Sequence, residues 1–94
     1  MTVQIIQFKA DTCAPCKQLS SLLAALPSTY GASRINVMDV EVNPEEARKY
    51  GVRAVPTLVR VDDSTGNVIS TLVGLPTVSK LKEWLTQSGE SVNE

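Results

Sequence analysis

The sequence predicts a single small α/β domain with a four-stranded mixed sheet and three helices. Strand-like and helical apolar periods alternate in the order β-α-β-α-β-β-α along its 94 residues. The first half forms a βαβ unit, so we expect its two strands to be parallel with a right-handed crossover. The second half is a hairpin followed by a helix, and the complete sheet should therefore carry helices on both faces.

The first strand and the first helix are predicted from a change of apolar period near the two cysteines. The near-continuous apolar run from Val3 to Ala10 is typical of a strand that is covered on both faces. From about Cys13 the apolar residues recur at helical spacing, and Pro15 lies in the first turn, where a helix tolerates proline. Pro27 and Gly31 should end this helix.

The second strand and the second helix are separated by a capping signal. Arg34 to Val42 is rich in Ile and Val and predicts a strand. Asn43 and Pro44 are typical of a helix start, with Asn as the cap and Pro at the first position. This helix should be short, because Gly51 follows soon after.

The C-terminal part predicts a hairpin and a last helix. Thr57 to Asp62 and Asn67 to Val73 alternate as strands around a polar turn that contains glycine. Thr77 should cap a helix whose apolar side carries Val78, Leu81, Trp84 and Leu85. We assign residues 1–88 to one domain and residues 89–94 to a polar tail.

Composition excludes several classes of function. The net charge of −1 comes from interspersed signs without a basic stripe, which argues against nucleic-acid binding. No apolar stretch approaches the roughly 18 residues that cross a bilayer, and no secretory signal is recognisable, so we expect a cytoplasmic protein away from membranes. We also expect it to be a monomer. Histidine is absent, which removes Ser-His and Cys-His catalysis and the commonest metal ligand.

Cys13 and Cys16, the only cysteines, open the first helix and predict reversible dithiol/disulfide exchange. Unpaired N–H groups at a helix start point toward the first cysteine, and the partial positive charge there favours a thiolate. Cys13 should therefore be the accessible nucleophile, and Cys16, one turn further, the more buried resolving thiol. Pro15 stiffens the intervening turn, and Ala14 is small enough to leave room for a substrate.

The same pair has alternative interpretations. A structural disulfide is possible, although chains of the cytosol rarely keep one. Zinc or a dimer-bridging iron–sulfur cluster would need ligands beyond these two thiols. The βαβ context favours redox exchange, for which the Cys13–Cys16 disulfide suffices without metal or other cofactor.

Three segments resemble the thioredoxin family. Ile6 to Lys17 is similar to its active-site strand and helix start, and Asn43 to Leu58 is similar to the run that ends at its cis-proline. Val73-Gly74 and Leu81 to Leu85 are similar to its closing loop and last helix. The resemblance implies a thioredoxin-like fold in a shortened form, without the family's usual N-terminal strand and helix. In outline this form is close to glutaredoxins and to small redoxins of the phage type.

The resemblance also implies roles for residues around the cysteines. Pro56 would follow a cis peptide bond and pack against the disulfide, while the Val55 backbone pairs with an extended substrate peptide. Ala54 and Gly74 would line the apolar docking surface. Implied clients are disulfide-containing proteins such as ribonucleotide reductase, and the implied electron donor is a thioredoxin reductase.

Several supporting positions depart from the family pattern. Thr12 stands where the family usually has Trp, and Ala14 where it usually has Gly. Gln7 stands where a buried Asp is thought to help deprotonate the second cysteine. Gln7 could orient a water near Cys16 while Lys9 lowers a thiol pKa; alternatively, Gln7 is a hydrogen-bonded polar residue and Lys9 extends to solvent.

Two other functions remain open from the sequence. The chain could be a docking module in which the dithiol is incidental, or a glutathione-dependent redoxin in which Lys17 pairs with a carboxylate of glutathione. It lacks the Cys-Pro-Tyr-Cys motif and the acidic pair after Gly74 that glutaredoxins typically have. Arg53 could flank the docking surface and favour acidic partners.

Overall fold

The computed structural model of the protein describes residues 3–87. Its strands and helices, in chain order, are β1 (Val3–Lys9), α1 (Ala14–Ala25), β2 (Asn36–Asp39), α2 (Pro44–Lys49), β3 (Thr57–Asp62), β4 (Val68–Val73) and α3 (Val78–Thr86). Two 3-10 turns lie between α1 and β2, at Ser28–Tyr30 and Ala32–Arg34. The predicted order of strands and helices is confirmed, whereas the predicted polar tail lies outside the described residues.

The four strands form one mixed sheet in the order β2-β1-β3-β4. The βαβ unit makes β1 and β2 parallel, as predicted, and the β1–β3 and β3–β4 pairs are antiparallel. Gly66, with a φ of 79°, supplies the left-handed conformation that closes the tight turn between β3 and β4. No helix among residues 3–87 is long and apolar enough to span a membrane.

The sheet separates two apolar clusters. One joins α1 and α3 to the sheet and contains Leu19, Leu23, Leu58, Leu81, Trp84 and Leu85. The other joins α2 to the opposite face and contains Ile6, Phe8, Ala47, Val59 and Val61. Neighbouring residues of a strand point to opposite faces, so β3 contributes to both clusters and is buried throughout its first five residues. The predicted helices on both faces are thereby confirmed.

The second strand is shorter than the sequence predicted. Arg34 ends a 3-10 turn instead of starting the strand, and the strand itself spans only Asn36–Asp39. Beyond it, the N–H groups of Val42 and Asn43 both donate to the Asp39 carbonyl, which folds the chain into a turn. The apolar residues that suggested a longer strand include Val42, which is 74% exposed.

The predicted side-chain cap is present at the start of α3 but absent at the start of α2. The Thr77 hydroxyl accepts the Lys80 N–H at 3.1 Å and caps α3, as predicted. Asn43 occupies the N-cap position of α2, but its side chain instead donates to the Asp39 carbonyl at 3.2 Å. Val78, expected on the apolar side of α3, is 44% exposed because it lies at the first turn, beyond the edge of the core.

A buried arginine, which the apolar pattern of β3 did not predict, connects the sheet to the end of α3. Arg60 is 2% exposed, and its guanidinium lies 4.2 Å from the centroid of the Trp84 ring. One terminal nitrogen donates to the carbonyls of Trp84 and Leu85, at 2.8 and 3.5 Å, and the other to the Ser70 hydroxyl at 3.0 Å. A cation at a helix C-terminus interacts favourably with the helix dipole, and here it adds to the Gln87 N–H that the Trp84 carbonyl also accepts, at 3.3 Å.

We expect Arg60→Met to lower the free energy of unfolding by about 2–4 kcal/mol, because it removes the buried hydrogen bonds to Ser70 and to the end of α3 and loses packing against Trp84. Urea denaturation of the oxidised protein measures this loss. The matched control is Arg53→Met, which changes an exposed arginine and should alter the free energy by less than about 0.5 kcal/mol. Equal effects of the two substitutions would contradict the role given to Arg60.

Candidate active site

The strand register brings three loops to one edge of the sheet. Phe8 of β1 lies opposite Thr57 of β3, and Thr57 lies opposite Val73 of β4. The loop that leaves β1 toward Cys13, the turn that enters β3 and the residues after β4 therefore meet at this edge. Segments that are distant in sequence are thus placed side by side by sheet pairing.

Cys13 and Cys16 form a disulfide at the start of α1, with their Cα atoms 5.2 Å apart, inside the range typical of disulfides. Cys13 is the N-cap residue, and its sulfur accepts the backbone N–H of Cys16 at 3.1 Å. Pro15 lies in the first turn, where its lack of an N–H is no loss. The positive end of the helix dipole is therefore directed at the Cys13 sulfur.

The two cysteines differ in exposure. Cys13 is half-buried, whereas Cys16 is 2% exposed. The exposed Ala14 and Pro15 lie between them and leave the Cys13 side of the disulfide open to solvent. A second macromolecule can therefore approach the Cys13 sulfur more readily than the Cys16 sulfur.

The peptide bond between Val55 and Pro56 is cis, and it lies next to Gly74. The Pro56 carbonyl accepts the Gly74 N–H at 2.8 Å, and the Thr57 hydroxyl donates to the Ala54 carbonyl at 2.7 Å. Gly74 has a φ of 87°, a conformation that other residues adopt only with strain. These bonds bring together the four residues that the sequence assigned to substrate binding.

A small pocket of about 170 Å³ adjoins this group, on the side of α2. It is lined by Val40, Ala47, Val52, Arg53, Ala54 and Val55. Arg53 and Ala54 are exposed, while Val55 packs on the cluster around Phe8. The sequence pointed to the last three of these residues but not to the other three, which come from α2 and from the segments just after β2 and α2.

Gln7 is a hydrogen-bonded buried residue, one of the two interpretations left open above. It is 3% exposed, and its side-chain amide donates to the Ser20 hydroxyl at 3.0 Å. The sequence did not single out Ser20, although it follows Cys16 by four residues and therefore lies on the same side of α1. Ser20 and Cys16 line a common pocket of about 230 Å³, together with Lys9, Ala10, Asp11 and Lys17.

Lys9 is a partly exposed ion-pair partner and not a free cation. Its ammonium lies 2.8 Å from the Asp11 carboxylate and 3.7 Å from that of Asp39. The hydrogen bond with Asp11 raises the pKa of Lys9, and the same bond holds the pKa of Asp11 below its ordinary value. Since two carboxylates offset this charge, its effect on either sulfur is weakened.

The remaining predicted supporting residues lie around the disulfide. Thr12 and Lys17 are exposed on either side of it, and Lys17 reaches the pocket that contains Cys16. Across the described part of the chain, Cys, Asp and Glu side chains form no group of three or more that could hold a metal ion.

We expect Lys9→Gln to raise the pKa of Asp11 toward its ordinary value, because the substitution removes the ammonium that stabilises the carboxylate. The pair exists above the pKa of Asp11 and is lost as the pH falls through it. Carboxyl-carbon NMR titration measures the shift. Asp62 is the internal control, because a hydrogen bond from Ser64 lowers its pKa and Lys9 does not contact it. An unchanged Asp11 titration would contradict this assignment.

Fold and site together define an α/β redox domain with a disulfide at a helix N-terminus and a cis-proline at the same edge of the sheet. The family model described as Thioredoxin matches residues 2–87. The chain is 35% identical over 85 residues to a thioredoxin of Rhodospirillum rubrum, and 37% identical over 84 residues to one of Staphylococcus aureus. In both cases the match covers 88% of this chain and 79% of the relative.

Solved thioredoxins have the same fold. The thioredoxin of Fasciola hepatica superposes with a TM-score of 0.76 and 30% identity, covering 93% of this chain and 81% of that one. The oxidised mitochondrial thioredoxin 3 of Saccharomyces cerevisiae superposes with a TM-score of 0.75 and 29% identity, covering 90% of this chain and 77% of that one. The chain belongs to the thioredoxin family, as its sequence motifs implied, and is a thiol-disulfide oxidoreductase.

Proposed function

We propose that the protein reduces disulfides of other proteins, with Cys13 as the nucleophile and Cys16 as the resolving thiol. The observation that carries this proposal is the asymmetry of the pair. The Cys13 sulfur accepts a backbone N–H at the helix start and is half-buried, while Cys16 lies beneath it with 2% exposure. Such an environment favours a reactive thiolate on the outer cysteine.

The reaction consists of two exchanges. In the first, the Cys13 thiolate attacks one sulfur of a client disulfide, forms a mixed disulfide and releases the other client cysteine as a thiolate, which takes a proton from water. In the second, Cys16 loses its proton to water and attacks the Cys13 sulfur, which releases the second client cysteine. Two electrons thereby pass from the dithiol to the client, and the Cys13–Cys16 disulfide is formed.

The docking surface we propose consists of Ala54, Val55 and Gly74, with Pro56 buried beneath them as its support. Val55 precedes β3 and belongs to no strand, so its backbone groups are not used in the ladder of the sheet. An extended client segment can pair with backbone groups that the ladder leaves unused, through main-chain hydrogen bonds. The apolar pocket beside Val55 would accept a client side chain, and the exposed Arg53 at its rim would favour an acidic neighbour.

The electron donor we propose is a thioredoxin reductase, and the client is an enzyme that oxidises a cysteine pair in each cycle, such as a ribonucleotide reductase. Membership of the thioredoxin family supports both assignments. The cytoplasm fits this role, because its reducing poise keeps the dithiol in the form that attacks clients. Neither exchange requires a metal or an organic cofactor, and a monomer contains all of the groups involved.

The division of roles predicts different trapping by the two cysteine variants. Cys16→Ser should accumulate mixed disulfides with a disulfide-containing client through Cys13, because the resolving thiol is missing. Cys13→Ser should accumulate at least tenfold fewer, since the remaining thiol is buried. Non-reducing gels and mass spectrometry count the adducts. Equal trapping by the two variants would contradict the assigned roles.

The redox potential separates a reductase from other dithiol proteins. We expect a value near that of thioredoxin, about −270 mV, and not near the value of about −120 mV of a strong oxidant. Equilibration with glutathione and dithiothreitol buffers, scored by the mass of alkylated thiols, measures it. The double variant Cys13→Ser with Cys16→Ser is the control in an insulin-reduction assay, and it should lose all activity. Retained cellular function of that variant would instead favour a docking module.

A further inference from the structure

The buried Gln7 amide is directed at one side chain of α1. Gln7 lies on the face of β1 that packs against this helix, and its amide nitrogen donates to the Ser20 oxygen at 3.0 Å. In the described part of the chain this is the one hydrogen bond of the Ser20 side chain. A hydroxyl that accepts from an amide keeps its own proton available to donate.

Helix geometry directs Ser20 toward Cys16. Residues four apart are neighbours on a helix surface, and each Cα–Cβ bond tilts toward the helix N-terminus. The Ser20 side chain therefore leans over the turn that contains Cys16, and both residues line the same pocket of about 230 Å³. The carbonyl four residues back, a common acceptor for a helical serine, is not bonded by Ser20 in the structure.

We propose that Ser20, held in place by Gln7, donates a hydrogen bond to the Cys16 thiolate when the disulfide is reduced and stabilises that thiolate for the resolving step. Ser20 is then a positioning residue that acts on the buried sulfur. It does not accept the proton of Cys16, which leaves to water in the pocket. Gln7 acts through Ser20, because its amide orients the hydroxyl without itself titrating.

The charged side chains around this pocket are paired or exposed, so a neutral hydrogen-bond donor can contribute to the stability of the Cys16 thiolate. Lys9 is paired with Asp11 and Asp39, so its charge is largely offset, and Lys17 is exposed to solvent. A hydrogen bond to the charged form of a group favours that form even where burial opposes it. The Ser20 hydroxyl would therefore offset part of the cost of an ionised sulfur at a site with 2% exposure.

This inference rests on the proposed roles of the two cysteines, but its first test does not depend on client reduction. In a Cys13→Ser background Cys16 is the single thiol, and thiolate absorbance at 240 nm against pH gives its pKa. Adding Ser20→Ala should raise that pKa by about one unit, while Ser20→Thr, which keeps a hydroxyl, should change it little. Ser21→Ala, at the exposed next position of α1, is the matched control and should leave it unchanged.

The second test uses the resolving step itself, in the protein with both cysteines. Raising the pKa of Cys16 by one unit leaves about tenfold less thiolate at pH 7 but makes each thiolate about threefold more nucleophilic. The net effect is that Ser20→Ala should release a preformed mixed disulfide about threefold more slowly. Well above both pKa values the order should reverse, because only nucleophilicity then differs. A merely structural defect would slow the step at every pH and would not reverse it.

The outcomes separate the two proposals. An unchanged Cys16 pKa in Ser20→Ala, with native circular dichroism, overturns the role of Ser20 even if the protein reduces insulin. A raised pKa in a protein whose wild-type form reduces no client upholds the Ser20–Cys16 interaction and overturns the proposed function. Equal shifts for Ser20→Ala and Ser20→Thr would also overturn the inference, because the hydroxyl would then not be the cause.

Discussion

The antiparallel pairing of β1 and β3 is the constraint on which the site depends. It sets Phe8 opposite Thr57, so the loop that carries Cys13 and the turn that carries Pro56 leave the sheet at the same edge. Both strands are buried near this edge, and a shift by one residue would move their apolar side chains to the wrong faces. The packing of the core therefore fixes the register, and the register brings the loop of the disulfide and the turn of the cis-proline to one edge of the sheet.

Within that frame, a helix dipole and a neutral polar pair lie next to the two cysteines. The Cys13 sulfur receives a backbone N–H at the start of α1, where the helix dipole is positive. Gln7 and Ser20 form a neutral hydrogen-bonded pair near Cys16, with which Ser20 shares a pocket. The one nearby lysine on β1 is paired with two carboxylates. A site arranged in this way depends on orientation more than on net charge.

The last helix is attached to the sheet by a polar contact inside an apolar cluster. Arg60 crosses from β3 to the end of α3, stacks on Trp84 and donates to two helix carbonyls. Pro56 directly precedes β3, so the strand that holds α3 through Arg60 is also the strand that borders the docking surface. The residues after β4, including Gly74, connect the sheet to α3 along the chain.

The sequence by itself determined the order of the strands and helices, the βαβ unit, the helix that starts at Cys13 with Pro15 in its first turn, and the cap at Thr77. These features depend on local periodicity and on the backbone preferences of Pro, Gly and Thr, which neighbouring residues alone reveal. Only the tertiary structure decided the partners of polar side chains: Gln7 with Ser20, Lys9 with Asp11 and Asp39, and Arg60 with α3. It also decided where β2 ends and that Val78 is exposed. Such outcomes depend on which groups meet across the sheet, and a hydrogen bond between distant residues leaves no periodic signal in the chain.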